Sequence, residues 1–277
     1  MKVGAELIQA HDERHEVGGA AFYRQVGENS FVADPATIGP WSPDAQHGGP
    51  PCALLASAIE DVSAADGTEI SNLSVEFLKP VPLGRLEVGV RCLRPGFKIA
   101  LYEAELGNDE GPCLLARAWR TRREEGRSPA VSLAEPVGFD PADLPSAALD
   151  HFPYIAQVDW RFEKGAFSDP GPALVHARPR IPLVEGRDIT GLEALLVMVD
   201  SANGFSQELP MDRYLYVPVS LLLSLVAIPD PAKFISFDSR TRISSSGIGI
   251  TETTISQEGM YLGSAMHTLY VEEKKQQ

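Results

Sequence analysis

The chain has 277 residues, 44% of them hydrophobic, which suffices for one large domain or two modest ones with buried cores. Its formal net charge of −14 argues against a nucleic-acid backbone or an anionic lipid surface as partner, since either would need clustered Lys and Arg. An anionic ligand would need a local basic patch, and Arg85, Arg91, Arg94 and Lys98, or Arg120, Arg122 and Arg123, are the candidates.

Three cysteines, Cys52, Cys92 and Cys113, lack C-x-x-C or Cys/His spacing, so neither a disulfide framework nor a zinc site is written here. A reducing, cytoplasmic setting without metal or other cofactor is the expectation. The N-terminus, MKVGAELIQAHDERHEV, lacks the uninterrupted apolar stretch of a signal peptide, and no run reaches membrane-spanning length. No membrane insertion is expected, and VPVSLLLSLVAIP reads as a buried strand.

Taken in chain order, FYRQVGENSFVA reads as a short strand pair. HGGPPCALLASAIED, starting at His47, is an apolar helical pattern that opens without the Ser, Thr, Asp or Asn that would cap it best. Three strand-like runs follow: NLSVEFLKPV, GRLEVGVRCLRPGFKIALYEAELGNDEG and PCLLARAWRTRR. From about residue 124 to 158 the chain is rich in Pro, Ala, Ser and Asp without a sustained period, a linker with room for one short helix. Its end, YIAQVDWRF, reads as strand.

The second part repeats the first in coarse order. ALVHARPRIP is strand-like, GLEALLVMVDSANGF is helical, and YLYVPVSLLLSLVAI, KFISFDSRTRISSSGIGITETTISQEG and MYLGSAMHTLYVEE are strand-like. Arg94 and Arg242, Glu110-Gly111 and Glu258-Gly259, and Leu114 and Leu262 stand at one common offset, with each Glu-Gly pair where a hairpin turn belongs. The layout is α+β, each sheet wrapping its own apolar helix. The expected organisation is an N-terminal unit over 1–125, a linker over 126–157 and a C-terminal unit over 158–277.

HGG opening an apolar helix, followed by SVEFLKPVPLGRLEVGVRCLRPG, resembles the thioesterase-like hotdog superfamily, and VDSANGF, FDSRTRISSSGIG and GSAMHTLYV extend the likeness. The whole chain, roughly residues 15 to 273, is similar to type II acyl-CoA thioesterases with a double hotdog. The resemblance implies two antiparallel sheets, each around a central helix, joined into one continuous sheet. It also implies an acyl-CoA substrate and a homo-oligomer, dimer or higher.

In HGG members of that superfamily a carboxylate lies about nine residues after the His; here that position is Ala56, whereas Asp200 stands at a similar distance from Gly191, where the second helix begins. The resemblance therefore implies a division of labour, with the first helix giving a backbone cradle and the second the acid, and one site per chain. Gly48 and Gly49 are the expected oxyanion cradle, because unpaired amides at a helix start and the absence of a Cβ let a thioester carbonyl approach. Asp200, alone in the apolar LLVMVD, is the expected general base or water-orienting group, its pKa raised by burial unless it is hydrogen-bonded.

The family's Asp is joined by a Thr and a Gln. Here the Gln position falls on His267 and the Thr position near Pro218, with Ser220 the nearest hydroxyl. Thr268 should point to the opposite face from His267. His47 is expected to fix the loop, with Trp41, Gln46 and Asn203 lining the entrance and Arg94 and Lys98 meeting coenzyme A phosphates. HFP at 151–153 is set aside as a dehydratase motif because a strand pattern follows it. The expected activity is acyl-CoA thioester hydrolysis. Its rivals are a non-catalytic acyl-CoA or lipid-binding protein on the same scaffold and, more distantly, an enoyl-CoA hydratase or dehydratase.

Overall fold

A computed structural model describes residues 20–63, 67–131, 140–167 and 169–274. The segment MKVGAELIQAHDERHEV and residues 132–139 of the expected linker lie outside the described residues.

The first half contains β1 (Tyr23–Gln25), β2 (Ser30–Ala33), α1 (Gly49–Ser63), β3 (Thr68–Phe77), β4 (Gly84–Arg94), β5 (Ile99–Asn108) and β6 (Gly111–Arg122). A short helix, α2 (Pro153–Ala156), then precedes β7 (Val158–Lys164), β8 (Ala173–Pro179), α3 (Gly191–Val199) and α4 (Ala202–Phe205). The chain ends with β9 (Tyr214–Leu225), β10 (Ile235–Ile243), β11 (Ile248–Gln257) and β12 (Met260–Glu273). The strand expected from Tyr154 begins only at Val158, because Pro153 fixes the first position of a helical turn.

The strands form one antiparallel sheet in the order β1-β2-β4-β5-β6-β3-β9-β12-β11-β10-β8-β7. The halves meet where β3 pairs with β9, placing Leu73 opposite Leu223 and Val75 opposite Leu221. Alternating side chains put one face on the helices and the other outward, as in β11, where buried and exposed residues alternate along Ile248–Gln257. Strand β9 follows the same rule, with Leu221, Leu223 and Leu225 buried but Val219 and Leu222 exposed. It is therefore buried on one face rather than throughout. The Glu-Gly pairs sit in hairpin turns as expected, with positive φ at Gly111, Glu258 and Gly259.

Helix α1 lies against β3, β4, β5 and β6 and packs on α3, which also touches β8. Both helices are sequestered: Cys52 through Ala56 of α1 and every residue of α3 are buried. One core runs through both halves and takes in Tyr154 and Ile155 of α2.

Candidate active site

Helices α1 and α3 run antiparallel, so that α1 begins where α3 ends. Gly49 has no room for a side chain: a Cβ there would fall inside the contact radius of the Val197 carbonyl oxygen. A Cβ on Gly48 would stand 2.6 Å from Asp200 Oδ2. Two glycines thus allow the contact that brings Asp200, the C-cap of α3, against the start of α1.

Asp200 is 5% exposed and lies between two histidines, with His267 Nε2 3.4 Å from Oδ1 and His47 Nδ1 3.6 Å from Oδ2. Burial alone would raise its pKa. The approach of His267, the charges of both histidines when protonated and the Gly48 backbone N–H outweigh burial, and the carboxyl is held below its ordinary value. The raised pKa expected for an unsupported acid is therefore replaced by a depressed one. The positive end of α1 contributes in the same sense, against the negative end of α3.

His47 answers the missing helix cap. Its Nδ1 accepts the Gly49 N–H at 3.1 Å, the job a Ser or Asp side chain usually performs. Burial, opposed by Asp200 and aided by His267, lowers its pKa to about 4, so the ring is neutral at neutral pH. It stacks on Tyr154 with ring centroids 3.8 Å apart and planes 6° from parallel. Nε2 faces Ser201 Oγ at 3.5 Å, long for a hydrogen bond.

His47, Gly48, Asp200 and Ser201 line a cavity of about 480 Å³ walled from both halves and from the connecting segment, whereas the fully buried His267 and Tyr154 do not line it. Trp41, half exposed, stands at its mouth, and Phe77, Phe152, Ile155 and Tyr216 supply apolar wall. Gln46 lines it but is tied down, accepting from Tyr23 Oη at 2.6 Å and donating to the Pro82 carbonyl at 2.7 Å. Buried Asn203 also reaches the wall.

Several expected residues stand elsewhere. Gly48 lines the cavity but Gly49 does not, and the Gly49 N–H is already given to His47, so of the two expected glycines only Gly48 presents to the cavity. Ser220 is absent from the cavity wall. Pro218 pairs with Leu269 and Ser220 with Thr268, leaving Val219 as a bulge that reverses which residues of β9 face inward. Leu221, opposite His267, takes the inward place.

Arg94 donates to the Ile99 carbonyl, and Lys98 is exposed beside it. Ile99 is joined through Thr121 to Glu69 at one end of β3, whereas Phe77 at the other end faces the cavity. Neither cation reaches the site. Arg91 is paired with Glu103, and buried Arg120 with Glu60. Lys79 lines the cavity instead, and Lys274 Nζ lies 5.9 Å from the Trp41 ring centroid.

His267 is fully buried on β12 and, as expected, alternates with the less buried Thr268. Tyr154 and Ser201 escape the sequence reading. Ser201 directly follows Asp200 in the sequence, whereas a lone aromatic in an aperiodic segment carries no signal. At the far end of the helix pair, Ser57 donates to Glu193 Oε1 at 2.6 Å, while Glu193 Oε2 accepts the Thr190 N–H at 2.8 Å. There the Glu193 carboxylate is committed to Ser57 and to its own capping box.

A family model described as the acyl-CoA thioesterase N-terminal domain matches residues 37–121, and one described as the acyl-CoA thioesterase C-terminal domain matches residues 133–271. No curated protein matches the sequence. Among solved structures, a protein of unknown function with hot dog fold from Alicyclobacillus acidocaldarius is 16% identical with a TM-score of 0.70, over 95% of this chain and 100% of that one. The tesB protein of Mycobacterium avium subsp. paratuberculosis is 14% identical with a TM-score of 0.66, over 90% and 96%. Acyl-CoA thioesterase II TesB2 of Mycobacterium marinum is 13% identical with a TM-score of 0.65, over 92% and 96%. At these identities the likeness to solved structures is one of fold.

Proposed function

The chain belongs to the acyl-CoA thioesterase family, and from that membership we propose that this thioester hydrolase cleaves acyl-CoA at Asp200. The observation that carries the site assignment is a buried carboxylate, flanked by His47 and His267, at the wall of a largely apolar cavity. Ionised Asp200 takes a proton from water as the oxygen attacks the thioester carbonyl. Its own negative charge is lost in that step while charge builds on the carbonyl oxygen. The Gly48 N–H, at the start of α1 beside the carboxylate, is the donor for the developing oxyanion. Collapse of the intermediate breaks the C–S bond and expels the coenzyme A thiolate, which takes the proton from Asp200, leaving the free acid, the thiol and an ionised Asp200.

His267 takes the place of the family's Gln, with its Nε2 3.4 Å from Asp200 Oδ1, and the acyl group lies among Phe77, Phe152 and Tyr216. Lys79 and Lys274 replace Arg94 and Lys98 as the cations near the nucleotide end. The Glu193 carboxylate, taken up by Ser57 and Thr190, supports one site per chain. Each half of the sheet, in this reading, wraps one central helix of a double hotdog.

The facing pair Leu222 and Met266, exposed on the outer sheet, supports a homo-oligomer, dimer or higher. Three free cysteines fit a reducing, cytoplasmic setting. Among the described residues no helix is long and apolar enough to cross a membrane.

Thiol release from short, medium, long and aromatic acyl-CoAs tests the activity. Release above background is expected for at least one. Thermal stabilisation by acyl-CoA without release would favour the binding protein, and hydration of an enoyl-CoA the hydratase.

A further inference from the structure

We propose that Tyr154, from the segment connecting the two halves, is a positioning residue that fixes the tautomer of His47 and anchors the Asp200 end of α3. The inference rests on the thioesterase reading above and makes the connecting segment a working part of the site.

The hydrogen-bond directions carry it. Tyr154 is fully buried, and its backbone N–H donates to the Ile38 carbonyl of the first half at 3.1 Å. Its hydroxyl stands 2.7 Å from the Val197 carbonyl and 2.9 Å from Ser201 Oγ. A carbonyl only accepts, so the one phenolic proton goes to Val197. Ser201 must then donate to Tyr154 Oη, which leaves a lone pair of Ser201 Oγ facing His47 Nε2. On the other side of the ring Nδ1 already accepts from Gly49. Both ends of the relay therefore select the neutral ring with its proton on Nε2. Burial keeps the Tyr154 phenol protonated and the imidazole neutral, so neither reverses the direction at neutral pH.

The same hydroxyl ends α3. The Val197 carbonyl would ordinarily accept from the amide of Ser201, but that amide turns to Met198 at 3.0 Å. Tyr154 supplies the missing donor three residues before Asp200. The consequence is chemical: the Nδ1 lone pair, rather than an N–H, faces Asp200 Oδ2. A proton on Nδ1 would donate to the carboxylate and reduce its basicity, so the relay keeps Asp200 available to take a proton from water.

Tyr154→Phe retains the ring and its stack but removes the relay. Ring 15N NMR of His47 in the full chain should show the Nε2–H tautomer in the wild type and a shift toward Nδ1–H in Tyr154→Phe. The variant's kcat for an acyl-CoA should fall about fivefold or more, with KM within about twofold. Ser201→Ala breaks the relay one step away and should move both readouts in the same direction, which covers the case in which Tyr154→Phe fails to fold. An unchanged tautomer in the folded variants overturns the proposal, whether or not kcat falls. A wild-type kcat alongside a changed tautomer also overturns it. The tautomer is read without turnover, so a wild-type protein that releases no thiol would contradict the thioesterase reading separately.

Discussion

Gly48 and Asp200 are in such close contact that a methyl group on Gly48 would stand 2.6 Å from Oδ2 and 2.8 Å from Phe77 Cε1. The obstruction is two side chains, one of which can swing away. Gly48→Ala should therefore fold but displace the carboxylate, lowering kcat by about 100-fold or more. Gly49→Ala meets the Val197 backbone instead, where nothing can swing aside without parting the helices. It should cost about 2–4 kcal/mol of stability. Thermal melts beside steady-state kinetics separate a site effect at Gly48 from a packing effect at Gly49.

His267 opposes the rise in pKa that burial would impose on Asp200. His267→Leu removes that support, so the Asp200 pKa should rise and the acid limb of the kcat/KM profile should move to higher pH. His267→Gln restores a donor of similar reach and should move the limb less. Profiles of the two variants that coincide with the wild type would remove His267 from the site.

His47 makes stability fall on acidification. The folded ring has a pKa of about 4, chiefly because it is buried, against an ordinary 6.5 in the unfolded chain. Below pH 6.5 the unfolded state binds a proton that the folded state refuses, so stability declines toward pH 4 by about 3 kcal/mol in all. The depressed Asp200 acts in the same sense at lower pH. Its contribution is present above the ordinary carboxylate pKa and is lost as pH falls through the folded one. Denaturant unfolding of wild type and His47→Gln between pH 7 and 4 checks the first decline, which the variant should largely lack.

Lys79 and Lys274 are the cations beside the cavity mouth. Lys79→Ala and Lys274→Ala should each raise KM for an acyl-CoA about two- to fivefold, an effect that shrinks with salt. An acyl-pantetheine, which lacks the nucleotide, should show no such rise. Arg94→Ala and Lys98→Ala should leave both constants unchanged.

The repeated order of helix, hairpins and final strand was legible in the sequence because periodicity and Glu-Gly turns are local. Asp200 and His267 were singled out through the family resemblance, the one as the acid of the second helix and the other at the Gln position, and the fold buries the two side by side. Ser220 misled because a single bulge at Val219 reverses inward and outward in β9, and nothing local in VPVSLLL announces it. Arg94 and Lys98 misled for a different reason: composition marks a basic cluster but not which end of a strand it occupies. Tyr154 was hidden because its contacts with Ile38 and His47 depend on how the connecting segment folds back between the halves.

Steady-state hydrolysis by Asp200→Asn tests the central claim most directly, because Asn keeps the shape of the side chain and removes its basicity. With the acyl-CoA that the wild type cleaves best, the account predicts a fall in kcat of about 100-fold or more, with KM little changed and the protein still folded at the assay temperature. Hydrolysis at the wild-type rate by the folded Asp200→Asn protein would contradict it.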